Sequence, residues 1–207
     1  GGYHGHPIKQ QRRLEIIEYA RANQVYIIED DHNGELKFNT KPIDAMSKLD
    51  NDHIIYIGSF SKLLLPSIRI SYMALPNQLV QLFYEKSRDY HQTASKLEQL
   101  ALAMYVEDGQ LARHLKRLRK HYRNKSTHLL QKLRTTFPQH KFELYETSLK
   151  ITMAIKADLV DQYIALAKQN DILVNKNSNN QITLSFSGIL DQDIDEAVDR
   201  LKEIWIN

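Results

Sequence analysis

Two short polar clusters in this chain of 207 residues each follow an apolar run. Glu29-Asp30-Asp31-His32 comes directly after Val25-Tyr26-Ile27-Ile28. Gly58-Ser59-Phe60-Ser61-Lys62 ends a run that begins at His53, and Arg69 lies seven residues beyond the lysine. Two hydroxyls and a guanidinium can hold one phosphate group, because the guanidinium is planar and grips such oxygens in pairs. A lysine beside them can form a Schiff base once its amine is desolvated enough to be nucleophilic. A carboxylate from the neighbouring strand can keep a pyridine nitrogen protonated. Schiff-base lysine, pyridinium partner and phosphate cup are the protein parts of a pyridoxal phosphate site. Two of Glu29, Asp30 and Asp31 are then spectators.

The same residues admit plainer readings. Lys62 after a strand also reads as a solvated charge, and Asp30-Asp31 as a turn initiator or loop cap. Asp30, Asp31 and His32 are metal-ligand types, but adjacent side chains of an extended segment diverge, which disfavours a shared ion. Ser59 or Ser61 as a hydrolase nucleophile lacks the G-x-S-x-G elbow.

These clusters need elements to position them. In open parallel sheets, ligands sit beyond the carboxyl ends of the strands, where both clusters fall. The pattern predicts an amphipathic helix over 7–23, with Leu14, Ile16, Ile17 and Ala20 on one face. The unbroken run Val25–Ile28 predicts a strand buried on both faces, as in a parallel sheet. Strand signals recur over 53–58 and 69–75. Helices follow over 77–90 and 94–107; Asp108-Gly109 breaks the second. A third helix is expected from Gln110 to about Thr136, with Leu111, Leu115, Leu118, Tyr122, Leu129 and Leu133 as its apolar stripe, stopped by Phe137-Pro138. Short strands are expected over 142–145, 149–155, 172–174 and 182–186, with helices over 159–170 and 191–205 and a polar turn at 177–180. The fold class expected is α/β, with residues 1–136 forming part of a large domain and 137–207 a small α+β domain.

Composition excludes several classes. Apolar residues make 42% and charged residues 26%, as in ordinary globular chains. The absence of cysteine rules out a disulfide scaffold, cysteine zinc sites, iron–sulfur clusters and thiol catalysis, and suits a reducing, cytoplasmic setting. No apolar run approaches the roughly 18 residues of a membrane span. The net charge of +3 does not by itself imply nucleic acid. Residues 113–125 (RHLKRLRKHYRNK) hold seven Arg or Lys. Since Leu111, Leu115, Leu118 and Tyr122 keep a buried face, these cations read as a solvated helix surface or a subunit contact. No helix-turn-helix signal is visible.

IIEDDHNGELKF followed by YIGSFSKLLLPSIRISYMALP closely resembles the aminotransferase-like domain of MocR-type regulators, a branch of the GntR transcription factors; EQLALAMYVEDG and GQLARHLKRLRKHYRNK are similar to segments of the same family. The likeness runs from about Gln11 to Trp205. It implies a fold-type I pyridoxal phosphate domain, aspartate aminotransferase-like, with a smaller C-terminal domain behind it. By resemblance, Lys62 forms the Schiff base, Asp30 pairs with the pyridine nitrogen, and Ser59, Ser61 and Arg69 hold the cofactor phosphate. His32 stands where the family usually has a Tyr that contacts the ring oxygen; an imidazole still donates a hydrogen bond, with different reach. Thr183 stands where fold-type I aminotransferases often place an Arg for the substrate carboxylate, and Thr cannot form that charged pair. Family members also carry an N-terminal winged helix for DNA and a first part of the large domain, so the chain is expected to be a C-terminal portion. The implied function is sensing of an amine or a pyridoxal-related effector by a homodimeric regulator that contacts DNA only through its N-terminal domain. A true aminotransferase and a cofactor-free dimerisation scaffold are the rival readings.

Overall fold

A computed structural model of the chain describes residues 8–31, 34–39, 44–61, 63–65, 67–91 and 93–206. His32 and Lys62 of the expected site lie outside the described residues. The chain divides into two units, Gly1–Arg117 and Leu118–Asn207.

The first unit opens with helix α1 (Gln10–Asn23), which ends where Gln24 turns into the left-handed region (φ 52°). Strand β1 (Ile27–Asp30) follows, and it pairs in parallel with β2 (Ile54–Ser59) in the register Ile27↔Ile54 to Asp30↔Ile57. Strand β3 (Ser71–Ala74) joins β2 antiparallel, giving the order β1-β2-β3. Helices α2 (Asn77–Ser87), α3 (Lys96–Glu107) and the start of α4 (Gln110–Thr136) complete it. Gly109, at φ +68°, makes the corner between α3 and α4, a conformation that glycine adopts without a Cβ penalty.

The parallel pairing expected from the apolar runs is present, but burial of β1 on both faces is not. Ile28 is 64% exposed, and β1 alternates between half-buried and exposed positions. Among the described residues β1 ends the sheet order, and only one of its faces is packed. Ile27, with Ile16, packs against a core of Ile17, Met46 and Ile54, while Ile28 and Asp30 point the other way. Helix α1 also departs from the expected stripe: Leu14 is exposed and Arg13 is buried in its place.

That exchange has an electrostatic reason. Arg13 ion-pairs with Glu29 at 3.3 Å, their side chains only 7% and 12% exposed. The Glu29 carboxylate also accepts the backbone N–H groups of Met46 (2.9 Å) and Ser47 (3.2 Å). Arg13 donates to the Asp44 carbonyl as well. One buried carboxylate thus ties α1, β1 and the 3-10 turn Met46–Lys48 together. Nearby, Asp50 accepts from Arg21 (2.8 Å) and from the backbone of Asp52 and His53. Burial pushes its carboxyl upward, but these donors outweigh burial and hold it down at about 2.

The second unit carries the sheet β4 (Lys141–Tyr145), β5 (Lys150–Ala154), β6 (Asn175–Lys176) and β7 (Ile182–Ser185), antiparallel in the order β4-β5-β7-β6. The expected strand over 172–174 is displaced to Asn175–Lys176, because Ile172 still closes helix α5 (Val160–Gln169) by donating its N–H to the Ala167 carbonyl. Helix α6 (Ile194–Ile206) begins after a 3-10 turn at Asp191–Asp193, later than the pattern suggested. Ile151, Met153, Val160, Ile182, Ile194 and Val198 are almost fully buried, and Trp205 stacks on Tyr163 at 5.3 Å while donating to its carbonyl. The C-terminal half of α4 meets α6 through Lys132–Asp199 (2.8 Å) and His128–Asp195 (3.0 Å).

Two stability outcomes follow. Arg13→Ala strands the Glu29 carboxylate and lowers unfolding stability by about 3–5 kcal/mol, read as a fall in the urea midpoint. The Asp50 pKa is depressed on folding, so its stabilisation is complete above the ordinary carboxylate pKa and is lost as pH falls from about 4 towards 2. After discounting for the half-exposed Arg21, that is about 1–2 kcal/mol. Asp50→Asn therefore lowers stability at pH 7 and flattens the acid limb of a stability–pH curve over that range.

Candidate functional site

The residues of the two polar clusters end adjacent parallel strands. Asp30 is exposed at the end of β1, opposite Ile57 in the ladder, and Ser59 lies two residues further along β2. Side chains alternate along a strand, so Asp30 and Ser59 share one face, roughly 8 Å apart by strand spacing and rise. Glu29 projects to the other face, where Arg13 and two backbone amides occupy it. The alternation thus places the Glu29 and Asp30 carboxylates on opposite faces of the strand. A cavity of about 260 Å³ lies around this strand end, lined by residues that include Ile28, Asp30, Asp31, Lys37 and Asp44.

Asp31 is half-buried and accepts a long hydrogen bond from the Tyr56 hydroxyl (3.4 Å). Burial first, and then the Asp31 carboxylate and Tyr72, push the Tyr56 phenol well above its ordinary pKa, so it stays protonated as a donor. A Cβ on Gly34 would stand 2.2 Å from Asp31 Oδ2, so glycine there lets the chain pass close to this carboxylate. Tyr56, Tyr72 and Phe60 form a ring cluster, with Tyr72 6.0 Å from Tyr56 and 5.3 Å from Phe60. The Tyr72 ring lies over Gly58, where a Cβ would meet its Cζ at 2.3 Å. Sequence reasoning passed over these tyrosines; the signal for Tyr72 was a glycine directly before the Ser-Phe-Ser-Lys run.

The segment after β2 is a tightly closed loop. Phe60 N–H bonds to the Ile70 carbonyl (3.0 Å), and Leu63 and Leu64 N–H both bond to the Phe60 carbonyl. Ser61 N–H bonds to Ser59 Oγ (3.3 Å), and the Ser61 hydroxyl donates to the Ile68 carbonyl (2.6 Å). Ser61 therefore spends its proton on the loop and keeps its oxygen as an acceptor. Arg69 is exposed near the end of this loop, immediately before the buried Ile70. Among the described residues, no group of three or more His, Asp or Glu is placed to hold a metal ion.

The basic segment is not uniformly solvated, as its charge alone suggested. Lys125 is buried and donates to the Ile189 carbonyl, with Asp191 at 3.5 Å. Arg113 donates to the Asp108 carbonyl (2.8 Å), and His114 bonds to the Leu63 carbonyl (2.8 Å). In the second unit Thr183 is buried on β7 and faces Thr152 on β5, in a polar row that runs from Glu143 to Asn175 across the sheet.

Chemically, an acceptor stands at the end of one strand, and the Ser59 hydroxyl with the Arg69 guanidinium stands at and after the end of the next. That division fits an elongated ligand with a protonated ring nitrogen at one end and a phosphate at the other, which is the donor set a pyridoxal phosphate requires.

Comparison with known proteins agrees with this frame. The chain is 33% identical over 205 residues to the uncharacterized HTH-type transcriptional regulator YdeL of Bacillus subtilis, an alignment of 94% of the chain and 44% of that protein. It is 34% identical over 116 residues to the probable rhizopine catabolism regulatory protein MocR of Rhizobium meliloti, covering 56% of the chain and 24% of the relative. The chain thus spans less than half the length of these curated relatives, which are regulators of the type the sequence resembles. The fold matches that of the kynurenine aminotransferase of Pyrococcus horikoshii, solved with PMP, KYN and KYA, with a TM-score of 0.78 at 23% identity over 97% of the chain and 52% of that structure. The family model for aminotransferase class I and II matches residues 8–201, and the chain belongs to that family.

Proposed function

We propose that this chain is the effector-sensing, pyridoxal phosphate-binding part of a GntR/MocR-type transcriptional regulator. The observation that carries the reading is the placement of Asp30 and Ser59 on one face at the ends of parallel strands, with Arg69 beyond them. The regulators among its relatives support the sensing role, and the PMP in the similar aminotransferase structure supports the cofactor.

When bound, the cofactor supplies an aldehyde that an amine can join and a ring that draws electrons from the joined atoms. The chain's own residues do the rest. Lys62 provides the amine. Asp30 holds the proton on the ring nitrogen. Ser59 and Arg69 anchor the phosphate, with Arg69 the one full positive charge among them; Ser61 joins them by turning its proton from the Ile68 carbonyl to the phosphate, and His32 is the residue assigned to the ring oxygen. Residues 1–136 form the cofactor-binding part and 137–207 the small domain. The working protein is a cytoplasmic homodimer that contacts DNA through an N-terminal domain. Its effector is an amine or a pyridoxal-related compound, and it acts by preferring one of two arrangements of the protein.

Thr183 favours sensing over turnover. It lies buried in a ladder of neutral and acidic side chains, Glu143, Thr152 and Asn175, with no guanidinium in the row. A carboxylate substrate finds no charged partner there.

Absorbance titration with pyridoxal phosphate, on the chain and on the full gene product, tests the assignment. A visible band that appears with wild type and is absent in Lys62→Ala is the expected result; identical spectra reject Lys62 as the anchor. Arg69→Ala removes a charge-assisted contact and weakens cofactor affinity by about 10- to 100-fold. Steady turnover of an amino acid with a keto acid would instead establish the aminotransferase reading.

A further inference from the structure

The loop from Phe60 to Ile70 is closed by its own hydrogen bonds, but one bond reaches it from far along the chain. His114, in the first turns of α4, places Nε2 2.8 Å from the carbonyl of Leu63. A carbonyl only accepts, so Nε2 carries the proton. Leu63 is 6% exposed and directly follows residue 62.

The imidazole is presented by a rigid corner. Gly109 turns the chain between α3 and α4, and Arg113 donates back to the Asp108 carbonyl at 2.8 Å. Around the bond lies a cavity of about 430 Å³, walled by Leu64, Leu65, Ile68, Leu102 and Tyr105 with His114 itself, and with Glu98 as its one carboxylate. In these mostly apolar surroundings a hydrogen bond is stronger than in water, and a carbonyl deprived of its donor is costly. Ser61 ties the far side of the same loop by donating to the Ile68 carbonyl. The backbone on either side of residue 62 is therefore fixed at two points, Ser61 to Ile68 and Leu63 to His114.

We propose that His114 is a positioning residue for Lys62, acting through the Leu63 carbonyl of the adjoining main chain. The proposal rests on the pyridoxal phosphate reading above. Its physical basis is that a covalent partner must be held within a fraction of an ångström, so a brace one residue away controls how well the amine meets the cofactor. It also gives a role to His114, one of the two histidines in the basic segment.

Three measurements test it. In the cofactor-free wild-type chain, long-range nitrogen–proton NMR correlations should show His114 as the Nε2–H tautomer; the Nδ1–H tautomer would overturn the proposal without any variant. In hydrogen exchange, His114→Ala should speed exchange of the Leu63, Leu64 and Ile68 amides by about tenfold, leave Ile55 and Ile57 of β2 unchanged, and be rescued by His114→Gln, whose amide nitrogen reaches the same position. Unchanged loop exchange in His114→Ala sinks the idea. In pyridoxal phosphate titration, His114→Ala should weaken binding about tenfold while keeping the visible band, and His114→Gln should restore it; wild-type affinity in His114→Ala counts against positioning. Should wild type itself behave as Lys62→Ala does, the cofactor reading has failed, and hydrogen exchange still decides whether His114 braces the loop.

Discussion

The first unit is organised around one buried carboxylate. Glu29 is held by Arg13 and by two backbone amides, and through them it fixes the helix, the edge strand and the turn at 46–48 to one another. A charge taken from water demands this degree of satisfaction, and the partners have little freedom once they supply it. Because β1 is only four residues long, fixing Glu29 also fixes its neighbours. Asp30 is then turned to the opposite face by the pleat alone.

That alternation separates stability from chemistry. On the covered face Ile27 and Glu29 belong to packing and ion pairing. On the other face Asp30 and Ser59 stand beside each other, while Tyr56 and Tyr72, on the Glu29 face, cover Gly58 with aromatic surface. The loop beyond β2 extends the same logic. The amides of Phe60, Leu63, Leu64 and Ile68 and the Ser61 hydroxyl are engaged within it before any ligand arrives.

The second unit joins an apolar core to a polar row across its sheet. The apolar side chains Ile151, Met153 and Ile182 build the core beneath α5 and α6, and the alternating positions Thr152 and Thr183 carry hydroxyls. The threonine pair contributes no charge to this row, and the Thr152 hydroxyl is buried without a hydrogen-bond partner among the described residues.

Much of this was written in the chain itself. Helix α1, the parallel pairing of β1 and β2, the long α4 and the small antiparallel unit follow from apolar period and from glycine and proline punctuation, and the Ser-Phe-Ser-Lys run with Arg69 marked the candidate site. Local pattern could not say which of three consecutive acids is tied into the core, because that depends on Arg13, sixteen residues away. Nor could it foresee that Ile28 would be exposed: an apolar run reads alike whether a strand is central or at an edge, and only the assembled sheet decides. Arg13 and Lys125 look like surface cations in sequence and are buried because acceptors meet them in three dimensions. His114 meets the Leu63 carbonyl across fifty-one residues of chain, a contact that exists only once the helix corner has folded against the loop. Sequence determines which side chains are present and how each short segment prefers to coil, since those are local energies. Which polar groups are spent on the fold and which remain free for chemistry is set by long-range pairing, and only the tertiary structure decides it.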